Sequence, residues 1–182
     1  MNKPVFFDAV RVFTGSSLKQ SQVDGFTAIL DRWAELELTD QRWLAYMLAT
    51  TWHETARTMQ PIREYGKGKG REYGKSDAVT GQIYYGRGFV QLTWKANYIK
   101  MSRKLYGDDR LVENPDLALE LGTATDILFR GMIDGDFTGV KLATYFNETK
   151  SDEVQARKII NGLDRAAMIA GYYKTFMQSF EI

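Results

Sequence analysis

Seven glycines, at positions 66, 68, 70, 74, 81, 86 and 88, crowd into the stretch 61–88. Glycine loses more backbone freedom on folding than any other residue and offers no side chain to pack, so it weakens helix and strand interiors alike. No helical period runs through this stretch, and it reads as turns and short β-hairpins. On both sides of it the apolar residues recur at helical spacing. The expected fold is therefore mainly α (α+β): a single helical domain over residues 1–182 with a small Gly-rich β-hairpin insertion at about 61–88.

Val5, Phe6, Ala9, Val10 and Phe13 mark a first helix, closed by Thr14-Gly15-Ser16-Ser17. Ser21-Gln22-Val23-Asp24 has the form of a capping box, with Asp in the usual Glu place. It precedes a stripe of Val23, Phe26, Ile29, Leu30 and Trp33. Thr39 or Asp40 can cap a third helix, running through Trp43, Leu44, Met47 and Leu48 toward Glu54. Helix resumes near Thr93 and runs to about Tyr106. Asn114-Pro115 pairs a cap with proline at the first helical position and opens a helix toward Met132, with Gly122 inside it. Two more patterns lie around Asp152–Ile160 and Ala166–Phe180. No repeat, low-complexity tract or interdomain linker is present.

With 182 residues the chain is long enough to bury about two-thirds of its unfolded surface. Its 44% hydrophobic and 13% aromatic content supports a real core. A net charge of +1 gives no general attraction to nucleic acid or membrane. The absence of cysteine excludes a disulfide scaffold, cysteine nucleophiles and thiolate metal sites. The single histidine, His53, excludes any metal site needing two. The N-terminal apolar run is broken by Asp8 and Arg11 and does not read as a signal peptide. Trp43 to Trp52 is too short for a membrane span, which needs ~20 residues. The Ala166–Lys174 stretch has a sparsely charged polar face and reads as a core helix, not a membrane-disturbing one.

Glu54 is the first candidate for chemistry. At 100° per residue, Trp43, Met47 and Glu54 fall at about 0°, 40° and 20°, so the carboxyl continues an apolar stripe. Partial desolvation there is expected to raise its pKa, which suits a general acid. An ordinary helix-terminal ion pair explains the same residue and is the reading that spacing alone favours. His53-Glu54-Thr55-Ala56-Arg57 begins like the zinc motif HExxH but has Arg57 in place of the second histidine. A second carboxylate across a scissile glycosidic bond is offered by Glu64 or Glu72, each followed by Tyr-Gly, with Asp77 a weaker third. Glu64 is nearer the end of the Glu54 helix and is preferred, with Glu72 as the reserve base. Both also read as solvated hairpin charges.

Arg63, Lys67, Lys69, Arg71 and Lys75 outnumber Glu64 and Glu72 in the same hairpin. That cationic rim suits an anionic polymer, or is only a solvated surface. Gly70 to Ser76 is one residue short of a phosphate loop and has no strand leading into it, so a nucleotide site is rejected. Tyr84-Tyr85-Gly86-Arg87-Gly88 combines stacking aromatics, backbone-exposing glycines and a planar cation. Gln91, Thr93 and Asn97 add short hydrogen-bonding groups, and Thr93 also fits a helix N-cap.

These segments resemble glycoside hydrolase family 19, the chitinases of lysozyme-like architecture, in its phage endolysin branch. Tyr84 to Thr93 (YYGRGFVQLT) is similar to the family's Tyr-Tyr-Gly-Arg-Gly-Pro-Ile-Gln-Leu-Ser/Thr signature. His53-Glu54-Thr55 is similar to its motif around the catalytic acid, and Ile159-Ile160-Asn161-Gly162 to its Ile-Ile-Asn-Gly segment. Gln20 to Gly25 resembles phage lysins of this type. Phe89-Val90 replaces Pro-Ile, Leu163 replaces a second glycine, and a family arginine near the C-terminal helix is replaced around Ile169.

The resemblance implies a lysozyme-like fold with Glu54 as general acid, Thr93 holding the attacking water, and Tyr85, Arg87, Gln91, Asn97 and Asn161 binding sugar. It implies inversion, with carboxyl groups roughly 6.5–9.5 Å apart. Hydrolysis of this kind needs no metal and no cofactor. The expected substrate is the peptidoglycan glycan strand, cut as by an N-acetylmuramidase. A chitinase with the same machinery is the alternative, and a non-catalytic wall-binding module the alternative of another class. The expected partners are that strand and a holin-type release factor, with no nucleic acid and no membrane insertion. A monomer made in the host cytoplasm and acting on the cell wall after release fits these features.

Overall fold

A computed structural model describes residues 2–15 and 17–180. The chain is mainly helical and divides into two compact units: Met1–Met59 with Phe129–Ile182, and Gln60–Leu128. The expected insertion at 61–88 is thus the first part of a larger second unit.

The first unit contains helices α1 (Lys3–Thr14), α2 (Gln20–Glu35) and α3 (Gln41–Glu54). Asn2 caps α1, and Gly15 ends it in the left-handed conformation, as Thr14-Gly15 suggested; Ser16 lies outside the described residues. The expected box at Ser21–Asp24 is displaced. Helix α2 begins at Gln20, and the Gln22 side chain accepts from the Lys19 backbone N–H at 2.9 Å. Gln therefore fills the reciprocal role three residues after Lys19, and Ser21 sits inside the helix. Asp40, not Thr39, caps α3, accepting from the Arg42 N–H at 3.1 Å.

Leu44 through Trp52 are all buried, so α3 has no wet face and runs through the centre of the first unit. It packs on α8 (Ala166–Gln178) and on α2. Phe26 stacks on Trp52 with ring centroids 5.9 Å apart, and Phe13 and Phe176 close on the same pair. Tyr46, Phe146 and Tyr173 form a second aromatic group. A four-residue helix, α7 (Leu142–Tyr145), leads into a small hairpin, β3 (Phe146–Asn147) with β4 (Lys150–Ser151). The pattern at Asp152–Ile160 is a 3₁₀ helix, Gln155–Ile159.

In the second unit β1 (Ile62–Arg63) pairs antiparallel with β2 (Arg87–Gly88), placing Ile62 opposite Gly88 and Arg63 opposite Arg87. The expected short hairpins reduce to this one ladder. The chain between its strands is turns and a 3₁₀ turn, Glu72–Gly74. Helix α4 (Lys95–Tyr106) and a short α5 (Arg110–Glu113) follow. The single helix expected from Pro115 toward Met132 is two elements. Pro115–Leu119 is 3₁₀ with proline in the first turn, Glu120 is extended, and α6 (Leu121–Asp134) begins after it. Phe89, Leu92, Tyr98, Met101, Leu111 and Ala118 are buried at the centre of this unit.

Gly25 shows how tightly α2 lies on the turn that follows α3. A Cβ at position 25 would stand 1.7 Å from the Met59 carbonyl oxygen. Gly171, exposed within α8, has nothing within 4 Å of the same added atom. The two glycines are therefore expected to respond oppositely to alanine. Gly25→Ala loses about 1–3 kcal/mol to overpacking against backbone, whereas Gly171→Ala gains up to about 1 kcal/mol of helix propensity. Denaturant unfolding of both variants measures the signs.

Candidate active site

Glu54 is the last residue of α3, and its side chain is 17% exposed. The buried Arg157 guanidinium, 4% exposed, donates from Nη1 to Glu54 Oε1 at 2.6 Å. Arg157 belongs to the Gln155–Ile159 3₁₀ helix, and its Nε donates to the Asp164 carbonyl at 3.1 Å. Oε2 of Glu54 has no hydrogen-bond partner among the described residues. The carboxyl is thus partly desolvated, as the helical wheel suggested, and it is also ion-paired. One oxygen is fixed and the other is uncommitted.

The turn after Glu54 is held in an unusual shape. Ala56, Arg57 and Met59 all have positive φ (49°, 68° and 53°), a region that costs a residue with a Cβ about 1–2 kcal/mol. Local bonds fix it there. Thr55 Oγ1 donates to the Thr51 carbonyl and accepts from the Met59 N–H, and Gln22 Nε2 donates to the Arg57 carbonyl at 2.8 Å. Arg57, which stands where the zinc motif needs histidine, donates to the Tyr172 hydroxyl instead. Gln22 and Gly25, from the run Gln20 to Gly25, therefore act locally by seating the turn that ends the Glu54 helix.

His53 has its pKa lowered from 6.5. Burial is the main cause, opposed by the neighbouring Glu54 charge and reinforced by Arg157. Asn161 is exposed, and its Oδ1 accepts from the Gly162 N–H. Its own N–H donates to the Arg157 carbonyl, so it extends from the segment that carries the guanidinium.

The second unit gathers the other candidates. Glu64 is half-buried, with both oxygens engaged: Oε1 accepts from the Tyr73 hydroxyl at 2.8 Å and Oε2 from the Gly86 N–H at 3.0 Å. The Tyr73 hydroxyl has its pKa raised, chiefly by this bond. Glu72 is different, being 74% exposed on its side chain and paired only with Lys75. Asp77 accepts from Lys95 and from Thr80 and Val79, and Lys95 foremost holds its pKa well below the usual carboxylate range.

Arg87 sits inside the second unit. Its side chain is 5% exposed; Nε donates to Asp116, and Nη1 to the carbonyls of Ile83 and Tyr85 and to the Tyr98 hydroxyl. It also stacks 3.6 Å above the buried Tyr85 ring. Arg87 and Tyr85 thus hold the Gly-rich turn from within, and the planar cation expected to meet sugar is spent on protein. Burial pushes the Tyr98 hydroxyl up to about 12. Gly86 leaves room for the Gln91 side chain, which would lie 2.7 Å from a Cβ at 86. Gln91 Nε2 donates to the Ile62 carbonyl, Thr93 Oγ1 to the Gln91 carbonyl, and Asn97 Nδ2 to the Thr93 carbonyl. Thr93 is not the cap of α4: that position is Trp94, which makes no side-chain cap bond.

Glu64, Gln91, Thr93 and Asn97 are therefore tied into one hydrogen-bonded turn system in the second unit. Glu54 and Asn161 belong to the first. Sequence reasoning missed Arg157, Tyr73 and Asp116. Arg157 had a weak signal, a cation that with Lys158 interrupts the apolar Ala156, Ile159 and Ile160; the other two had none. Among the described residues no group of three or more His, Asp or Glu side chains is arranged to hold a metal, and no helix is long and apolar enough to cross a membrane. Comparison with family models, with curated proteins and with solved structures finds no match.

The lone histidine is a direct probe of the carboxyl beside it. Because its folded pKa is depressed, His53 contributes stability that is present above pH 6.5 and lost as pH falls through its folded value. Its imidazole NMR signal should titrate below 6.5, lower still in Glu54→Gln, and higher in Arg157→Met. Arg157→Met alone should cost about 3 kcal/mol of stability by unpairing a buried charge. Combined with Glu54→Gln it should cost clearly less than the sum of the single changes, as a double-mutant cycle of unfolding energies will read.

Proposed function

We propose that the chain is a glycoside hydrolase that cleaves the β-1,4 bond of the peptidoglycan glycan strand as an N-acetylmuramidase, an endolysin with lysozyme-like architecture. The observation that carries the proposal is the Glu54–Arg157 pair. Two separated segments singled out by resemblance to family 19, His53-Glu54-Thr55 and the stretch around Ile159-Ile160-Asn161-Gly162, meet through it in one unit. The third segment, Tyr84 to Thr93, is joined to Glu64 through Gly86.

In this reading Arg157 orients Glu54 through Oε1, and Oε2 carries the proton passed to the leaving glycosidic oxygen. Glu64 is the base that deprotonates the attacking water, and Thr93 helps to hold that water. Inversion at the anomeric carbon, which the resemblance to family 19 implies, belongs to the same proposal. Gln91, Asn97 and Asn161 hydrogen-bond the sugar. Glu72 takes no part, since it lies in solvent bound to Lys75. Synthesis in the cytoplasm of a phage host and release to the wall by a holin-type factor belong to the same proposal.

Muropeptide mass spectrometry after digestion of purified cell wall tests it. Wild type should release fragments with new N-acetylmuramic acid reducing ends. Glu54→Gln and Glu64→Gln should each slow release by roughly 10²–10⁴-fold, and Glu72→Gln should stay near wild type. Circular dichroism of Glu54→Gln must accompany the assay, because Gln can still accept from Arg157 but leaves its charge unbalanced. Release of chito-oligosaccharides from chitin instead would make the enzyme a chitinase. Wall binding without release by wild type would leave only a binding module.

A further inference from the structure

We propose that Tyr73 and Trp94 form a stacking platform for one pyranose ring of a β-1,4-linked N-acetylhexosamine chain, a binding site apart from the residues assigned above to bond cleavage. The choice of ligand rests on the reading of the chain as a glycan hydrolase; the platform itself rests on four features of the second unit.

The first is exposure. Trp94 is 50% exposed, while Trp33 and Trp52 are buried and Trp43 is half-buried with its indole N–H donated to the Phe146 carbonyl. An indole left in water forgoes the largest hydrophobic gain available to any side chain.

The second is backbone geometry. Trp94 has φ 72° and ψ 133°, next to a region that is essentially glycine's alone. The conformation is over-determined: the Trp94 N–H donates to the Tyr84 carbonyl, and the Trp94 carbonyl accepts from the N–H groups of Asn97 and Tyr98. A bulky residue at this position strains the chain, and its side chain neither fills the core nor makes a cap bond to the helix. What it does achieve is to hold an indole edge-on to Tyr73, with ring centroids 5.2 Å apart at 72°.

The third is the space beside these rings. They line a cavity of about 300 Å³ with Lys75, Asp77, Tyr84 and Lys95. That volume suits a single sugar unit. The C–H face of a pyranose covers an aromatic ring as apolar surface, while its hydroxyls and acetamido group need nearby donors and acceptors. Lys95 bonds both Asp77 oxygens and Lys75 bonds Glu72. These charges cancel in pairs, so the cavity has no surplus cation for a phosphate backbone, which is what drives nucleic-acid binding.

The fourth is continuity with the proposed chemistry. The Tyr73 hydroxyl donates to Glu64 Oε1, so a sugar stacked on Trp94 with the edge-on Tyr73 beside it lies one side chain away from the proposed base.

The test uses the full chain carrying Glu54→Gln to slow turnover, titrated with N-acetylglucosamine oligomers and followed by intrinsic fluorescence and calorimetry. Binding should quench the exposed indole. Adding Trp94→Gly should weaken binding about tenfold or more, the scale of losing one aromatic stack. Adding Trp94→Tyr, which keeps a ring, should stay within about threefold of the parent. The melting temperature of the Gly variant should not fall below the parent's, because glycine adopts this φ without strain. Three results overturn the platform: no oligomer binding, equal affinity in the Gly variant, or equal losses in Gly and Tyr. Preferred binding of single-stranded oligonucleotide overturns the assigned ligand class. Wall hydrolysis by wild type is scored separately. Oligomer binding that depends on Trp94 without hydrolysis keeps the platform and removes the proposed chemistry. Hydrolysis with Trp94-independent binding does the reverse.

Discussion

A guanidinium taken almost fully out of water must find a counter-charge, and in the first unit Arg157 finds Glu54. Buried pairs of this kind add little net stability, because desolvation of both groups offsets their attraction. What such a pair supplies is geometry. A bond of 2.6 Å between the end of α3 and the 3₁₀ helix at Gln155–Ile159 fixes residues 103 positions apart in sequence. The rest of the unit is arranged to permit it. Helix α3 is buried on every side, so its last turn can deliver a carboxylate to the interior edge. Thr55, Gln22 and Gly25 then hold the left-handed turn that takes the chain away.

The second unit solves a similar problem around Arg87. Its Nε meets Asp116, which also binds Arg63, while Nη1 satisfies carbonyls of the very turn it belongs to. Burial alone would push the Asp116 carboxyl up, yet Arg63 and Arg87 hold it below its ordinary value. In this way a segment with almost no regular secondary structure acquires a defined shape. Its backbone polar groups are satisfied by a side chain where a wider sheet would have used a partner strand. Glycine at 88 completes the arrangement: its φ is 92°, and an added Cβ would stand 3.0 Å from the Ala118 carbonyl.

Helix positions in this chain were legible because apolar period survives without tertiary context. Helix ends were less so. Ser21 looked like a cap, but the Lys19 N–H donates to Gln22 two residues earlier, which is one half of a capping box, since an ammonium cannot accept. Pro115 announced a helix start correctly; the extended Glu120 that splits the element carries no turn-forming residue type to reveal it. Arg87 shows a deeper limit. A planar cation between glycines and tyrosines suits a ligand and an internal stack equally, and only its burial decides between them. Arg157 and Glu54 were separately visible, but pairing across the sequence leaves no periodic trace. Trp94 reverses the usual expectation altogether, since nothing in an indole predicts a positive φ.

The carboxylates of this protein can be ranked by what their oxygens already do. Asp77 has both oxygens on Lys95 and further bonds from Thr80 and Val79, which makes it a fastener. Asp116 is committed to two arginines. Glu72 is committed to nothing but a solvent-exposed lysine. Glu64 accepts one hydrogen bond on each oxygen, and a carboxylate oxygen has two lone pairs, so each can still accept from a water. Glu54 alone among these has one oxygen fixed by a buried cation and the other without a partner. Proton transfer to a bound group needs a carboxyl that is held in place yet free at the reacting atom. Loosely solvated groups fail the first requirement and fully bonded ones the second. Glu54 meets both, and the proposed proton transfer is assigned to it on that ground.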